Sequence, residues 1–232
     1  GSNLTNLPAS DPFPFTGDAQ ITGSLTISGS FNAFTLDSDN IVLGQGAGTA
    51  MQAGADNNVV IGTSAGTSLS TGDRNVFIGE GAGYSATDDS YNVFIGRRAG
   101  YENLANNNVI IGYNAGYNGG GGAANNVAIG NSSMKGISGH GGDYNTAVGY
   151  YSLYSINGGK YNLALGYEAG YSVAGGWNNI FLGNDAGYSI TSGNANIIIG
   201  SGSKGEAALE QQLRIGHAGV IAISGSLVTG DV

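Results

Sequence analysis

One five-residue block, an asparagine followed by three mostly apolar residues and a glycine, occurs ten times. The copies run from Asn40, Asn58, Asn75, Asn92, Asn108, Asn126, Asn145, Asn162, Asn179 and Asn196 to Gly44, Gly62, Gly79, Gly96, Gly112, Gly130, Gly149, Gly166, Gly183 and Gly200. Successive glycines are 18, 17, 17, 16, 18, 19, 17, 17 and 17 residues apart. A fixed period of this kind marks a solenoid, in which each repeat buries its apolar face only against its neighbours. The triplets, such as Val76-Phe77-Ile78 and Ile197-Ile198-Ile199, are β-branched or aromatic and bounded by turn residues, so each reads as a short strand.

Side chains alternate between the two faces of a strand, so three apolar residues in a row place apolar groups on both. One face fills the interior of the coil. A narrow coil has no second interior, and the other face therefore calls for another chain. Three residues past each glycine stands Ala or Ser (Ala47, Ala65, Ala82, Ala99, Ala115, Ser133, Ser152, Ala169, Ala186 and Ser203), a position that admits only small groups and lets a second short strand pack inward. Two residues further on, Tyr84, Tyr101, Tyr117, Tyr154, Tyr171 and Tyr188 should form a partial ladder. The block glycine suits a tight corner that excludes a Cβ. The block asparagine tolerates the left-handed conformation and stacks on its copies as an amide ladder, which gives all ten asparagines a structural role.

Composition agrees. The 232 residues include 44 glycines without a three-residue period, and Pro8, Pro12 and Pro14 all lie near the start, so the chain is not collagen-like. With 41 % hydrophobic and 10 % charged residues it is too apolar for a solvated coil. Apolar runs are too short for membrane insertion. Seven Lys and Arg against 16 Asp and Glu leave a net charge of −9, which argues against a nucleic-acid partner. The absence of cysteine rules out disulfides and thiolate ligands.

Residues 1–15 read as a flexible leader, opening with a Gly1-Ser2 that looks like a cloning remnant on an excised fragment. Residues 16–39 alternate apolar and small polar groups, as an N-terminal β cap would; 40–205 form the solenoid. Residues 206–232 form a C-terminal β cap leading to a further domain, with one or two helical turns over 206–213. The loops between the tyrosine position and the next asparagine vary, and variable loops of a solenoid are where binding is expected. The longest, Gly119–Gly122 and the stretch from Lys135 to Tyr144, nominate Lys135, His140, Asp143 and Tyr144 as receptor contacts.

No catalytic, cofactor or metal site is expected. Gly44-Gln45-Gly46-Ala47-Gly48 and Gly79-Glu80-Gly81-Ala82-Gly83 lack the helix that would hold a phosphate and fit repeat corners. His140 and His217 lie far apart; Asp37, Asp39, Asp88 and Asp89 lack the glycine and glutamate of a calcium loop. Glu80, Glu168 and Asp185 stand just after the corners of different repeats, where neighbouring coils could bring two carboxylates together, but no cleft is implied.

The block at Asn126–Ser133, Asn-Val-Ala-Ile-Gly-Asn-Ser-Ser, resembles the head repeat of YadA-like trimeric autotransporter adhesins, and phage tail fibres and spikes contain similar repeats. The resemblance spans about residues 40–203, with coils longer than the adhesin repeat, and implies an all-β, left-handed parallel β-roll of about ten 16–19-residue coils assembled as a homotrimer. Leu-Arg-Ile-Gly at 213–216 and the apolar stretch after Val220 are similar to phage fibre segments. The resemblance thus implies a non-enzymatic fibre segment on a virion surface that recognises a host-surface glycan or protein. The head of a bacterial surface adhesin is the alternative. An ice-binding solenoid would need regular threonine rows, and a glycan depolymerase would need facing carboxylates.

Overall fold

The computed structural model describes residues 39–102, 105–119, 122–136, 142–205, 207–208, 210–218 and 220–226. The chain divides into units 1–34 and 35–232; only the second is described, and the readings of residues 1–15 and 16–38 lie outside the described residues, as do His140 and the heart of its loop. The fold class is as expected from the repeat: an all-β parallel solenoid of about ten coils.

Each block triplet is one strand: β1 Ile41–Leu43, β2 Val59–Ile61, β3 Val76–Ile78, β4 Val93–Ile95, β5 Val109–Ile111, β6 Val127–Ile129, β7 Thr146–Val148, β8 Leu163–Leu165, β9 Ile180–Leu182 and β10 Ile197–Ile199. They pair in parallel and in sequence order, residue for residue, so coil n carries strand βn directly above its predecessor. At about 4.8 Å per rung the ten coils extend roughly 50 Å.

Two more strands close the sheet. β11 (Gln212–His217) adds in parallel to β10, and β12 (Val220–Ser226) folds back antiparallel on β11 with a bulge at Ile215/Gly216. Among the described residues of 206–213 the expected helical turn is not formed. Leu213 and Ile215 instead pair with Ile197 and Ile199, and this stacking overrides the local helix preference of a short Glu-Ala-Leu-Gln stretch.

Three inward columns make the core. The triplet centres after the half-buried Val42 of coil 1, among them Val60, Phe77, Phe94, Ile110, Ala128, Phe181 and Ile198, are buried, as is the small residue three past the corner. The third column, seven past the corner, holds Leu69, Ala86, Ile156, Val173 and Ile190. No second strand follows the small residue; that segment is a turn, because the backbone reverses at alternate residues.

The corner glycine has φ between 120° and 142° in all ten coils, and a Cβ there would run into the glycine backbone of the next coil. The second residue after it is left-handed in every coil (φ 51–70°), including Arg98, Tyr151, Glu168 and Asp185. The left-handed residue at the other corner is not the block asparagine, as the sequence suggested, but the one before it, Asp39, Asn57, Arg74, Tyr91 and their counterparts (φ 51–65°). Each such residue costs about 1–2 kcal/mol when it is not glycine. What offsets the strain is the ladder: the conformation turns the N–H toward the preceding coil, as in Arg74 N–H to the Asp56 carbonyl (3.0 Å) and Glu168 N–H to that of Tyr150 (2.8 Å).

The asparagine ladder is continuous. The backbone N–H of each block asparagine donates to Oδ1 of the previous one at 2.8–3.1 Å, from Asn58 onto Asn40 through to Asn196 onto Asn179, and Gln212 takes the position in the eleventh rung. Among the described residues, in eight of the ten coils the Nδ2 group closes the coil on itself by donating to the carbonyl three residues before the next asparagine, for example Asn162 to Gly176 (2.8 Å) and Asn179 to Gly193 (2.9 Å). These asparagines are buried and, apart from Asn92, whose Nδ2 has no acceptor among the described residues, hydrogen-bonded, the condition for keeping an amide inside.

Candidate functional site

With the core inside, function must be sought on three outward features: the outer face of the sheet, its two corners, and the loops. The outer face carries the first and third residues of each triplet. Of these twenty positions nineteen are Val, Ile or Leu, Thr146 being the exception, whereas a solvated sheet face ordinarily alternates to polar groups. The side chains are half-exposed, and Ile41, Leu43 and Leu165 are more open still. Ile95 and Ile129 belong to this stripe and not to the interior, where Phe94 and Ala128 stand in their coils.

The corner after the sheet carries stacked aromatic groups. The expected tyrosine ladder is present in two pieces, Tyr84–Tyr101–Tyr117 and Tyr154–Tyr171–Tyr188, with centroids 4.8–5.0 Å apart and planes within 9°. Lys135 occupies the position between the pieces, its Nζ 5.5 Å from the Tyr154 ring centre. A second pair, Tyr150–Tyr167, stacks at 5.4 Å one residue past the corner glycine. The Tyr151 hydroxyl holds Tyr150 in its protonated form, with burial adding to the effect, and pushes its pKa up to about 12. Hydrogen bonding to Glu168 raises Tyr167 in the same way.

The nominated residues fall on different columns. Lys135 sits on the tyrosine ladder. Asp143 and Tyr144 lie at the far corner, just before Asn145, where Tyr144 stacks on Tyr161 (5.0 Å) and Asp143 accepts Lys160 Nζ (2.6 Å) and the Ala124 N–H (3.1 Å). Burial alone would raise the Asp143 pKa, but the Lys160 hydrogen bond, the Ala124 N–H and the Lys160 charge together hold it below the usual carboxylate value.

The column of Asp143 was not legible as a unit. Two residues before five of the asparagines, a side-chain oxygen accepts the N–H of its counterpart in the preceding coil: Asp73 from Asp56, Ser90 from Asp73, Asn106 from Ser90, Asp143 from Ala124 and Asn194 from Trp177, at 2.7–3.1 Å. The signal was the run of Asp, Ser and Asn at that offset. Elsewhere Arg97 pairs with Glu80 (3.1 Å) and stands over Tyr113, and this partner lowers the Glu80 pKa.

Glu168 and Asp185 occupy the same position in adjoining coils, two past the corner, on an outer turn and not across a cleft. Among the described residues no group of three or more His, Cys, Asp or Glu could hold a metal ion, and no helix is long and apolar enough to cross a membrane. A gap of about 10 Å³ beneath coils 5–7, lined by Ile110, Gly116, Met134 and Ile156, has room for no more than about one water. No protein-family model, curated protein or solved structure matches the chain.

Proposed function

We propose that this chain is a rigid, non-enzymatic segment of a homotrimeric fibre, of the kind carried by phage tails, that sits on a virion surface and presents a receptor-binding surface to a host cell. The observation that carries the reading is the aliphatic stripe along the outer sheet face, nineteen apolar side chains in twenty positions over ten rungs. A stripe of this length is a liability on an isolated chain and an interface core when copies meet on it. Three copies placed about a common axis cover all three stripes at once, and a closed symmetric arrangement ends the assembly. The likeness of the flanking segments to phage fibres supports the virion setting. The Asn126–Ser133 block favours a second reading, the head of a bacterial surface adhesin with the same assembly.

The first test is native mass by light scattering after gel filtration. Three times 23.2 kDa is expected. A single-chain mass would overturn the assembly. Binding to bacterial envelopes then favours the fibre, whereas binding to extracellular matrix such as collagen favours the adhesin.

A further inference from the structure

We infer that the tyrosine cluster of coils 7–9 is a carbohydrate-binding surface whose ligand is a neutral, hydroxyl-rich glycan. This deepens the receptor-binding reading and rests on it for its biological setting. Six rings form one contiguous network: Tyr150 meets Tyr151 (4.0 Å) and Tyr167 (5.4 Å), Tyr151 meets Tyr154 (4.8 Å) and Tyr171 (6.1 Å), and Tyr171 meets Tyr154 and Tyr188 (both 5.0 Å). A ladder that served only to stack coils would need one column. Here two columns merge because Tyr151 stands tilted, 40° from Tyr150 and 63–65° from Tyr154 and Tyr171, and bridges them.

The outer pair is the open part. Tyr150 and Tyr167 are 40 % and 49 % exposed, and the same position holds Asn131 in the coil before and Asn184 in the coil after. Each ring thus has an aromatic neighbour on one side, while on the other the smaller asparagine side chain leaves part of the ring open, in keeping with its exposure. Carboxylates adjoin the rings: Glu168 accepts from Tyr167, and Asp185, bonded to Asn184 Nδ2 (3.1 Å), lies one coil on. An aromatic face beside carboxylate, amide and phenol oxygens matches a sugar, whose C–H face packs on a ring while its hydroxyls donate to acceptors at the rim.

Charge narrows the class. Within the network Glu168 and Asp185 are matched by Lys135 over Tyr154 (5.5 Å) and Lys204 over Tyr188 (5.2 Å), so the patch offers no local excess of positive charge, and the net charge of −9 of the chain disfavours sulfated or sialylated glycans. A protein partner fits less well, because the centre of a protein interface is depleted of carboxylates and Glu168 stands among these rings.

The test screens the full-length chain on an array of neutral, amino, sialylated and sulfated saccharides and titrates the best neutral oligosaccharide by calorimetry. Neutral saccharides are expected to bind with an affinity insensitive to salt. Tyr167→Ala should weaken binding by roughly 30-fold, as for an aromatic hot spot. Tyr167→Phe, which keeps the stack and loses the Glu168 bond, should weaken it less, and Tyr91→Ala, at the far corner of coil 4, should match the parent. Thermal melting checks that each variant is folded. Binding confined to acidic saccharides, no saccharide binding at all, or full affinity in folded Tyr167→Ala overturns the assignment. Cell attachment that survives Tyr167→Ala sinks this site and leaves the fibre reading standing, whereas a single-chain mass with saccharide binding intact does the reverse.

Discussion

In coils 3, 4 and 9 the triplet centre is phenylalanine and the residue four past the corner is glycine (Phe77 with Gly83, Phe94 with Gly100, Phe181 with Gly187). In coils 6 and 7 the centre is alanine and that residue is large (Ala128 with Met134, Ala147 with Leu153). The structure supplies the reason: a Cβ on Gly100 would lie 2.7 Å from two atoms of the Phe94 ring, so one coil has room for only one of the two groups. A double-mutant cycle on coil 4 tests this directly. Phe94→Ala empties a fully buried site and should cost about 3–5 kcal/mol, including its stack on Phe77. Gly100→Leu places a side chain at φ +56° against that ring and should cost about 2–5 kcal/mol, roughly 1–2 for the left-handed backbone and 1–3 for overpacking.

If the positions were independent, the double variant would lose about 5–10 kcal/mol, the sum of those two ranges. With leucine filling the space vacated by the ring, as Leu153 does above Ala147, only the backbone cost and some imperfect packing remain. The expected loss is about 2–4 kcal/mol, a coupling of roughly 3 kcal/mol or more in favour of the pair. Thermal and urea unfolding followed by circular dichroism, at one fixed protein concentration, reads all four corners of the cycle. Losses that add to within about 0.5 kcal/mol would refute the reasoning.

Asn162→Ala removes the acceptor of the Asn179 N–H and the donor to Gly176 inside the stack, and should cost about 3 kcal/mol in urea unfolding; a loss under about 1 kcal/mol would show the ladder to be ornamental. Asp89 is 8 % exposed, and burial raises its pKa above 3.8. The stability this group contributes is therefore present below the unfolded value and lost as pH rises through the raised folded value. Asp89→Asn should raise the melting temperature at pH 7, with the gain vanishing in acid below 3.8; an equal or lower Tm at pH 7 contradicts it. Ile95→Asp on the outer stripe should reduce the native mass to one chain while the β circular dichroism survives; an unfolded chain, or an unchanged mass, would mean the stripe is not the interface.

What could be read from the sequence was whatever repeats as an identity. Asparagine, glycine, alanine and tyrosine recur at fixed offsets because each meets a copy of itself one rung away, and ladder, corner, small column and ring stack all followed. Relations between columns were hidden. The exchange of Phe94 and Gly100 for Ala147 and Leu153 appears only when two positions are compared within a coil. The left-handed residue before each asparagine was also obscured, since Arg74, Tyr144 and Ala195 share no side-chain chemistry; the backbone N–H, identical in all of them, makes the bond. Local preference misled at 206–213, where a parallel partner already in place on β10 outweighed a weak helical tendency.

The two side-chain ladders run with opposite polarity, and this explains why coils of unequal length stack without drifting out of register. Block asparagines accept the N–H of the coil that follows them, whereas the Asp, Ser and Asn residues two places earlier, present in five coils, accept from the coil that precedes. Each coil is therefore tied to both neighbours by bonds it cannot satisfy alone, and variation in length must be absorbed by the loop between the ladders. The step from Gly96 to Gly112 is the shortest, 16 residues, and there the bookkeeping fails: among the described residues Asn92 Nδ2 has no acceptor, and the Ala105 carbonyl is taken by Asn108 (2.9 Å). Longer coils keep their closing bond, since Asn126 still reaches Gly142 (2.9 Å) across the 19-residue step. Residues can thus be added to a loop without disturbing either ladder, but one residue fewer than 17 already breaks the closing bond, which is why the surface diversity of this rod is carried by insertions and by side chains at its corners.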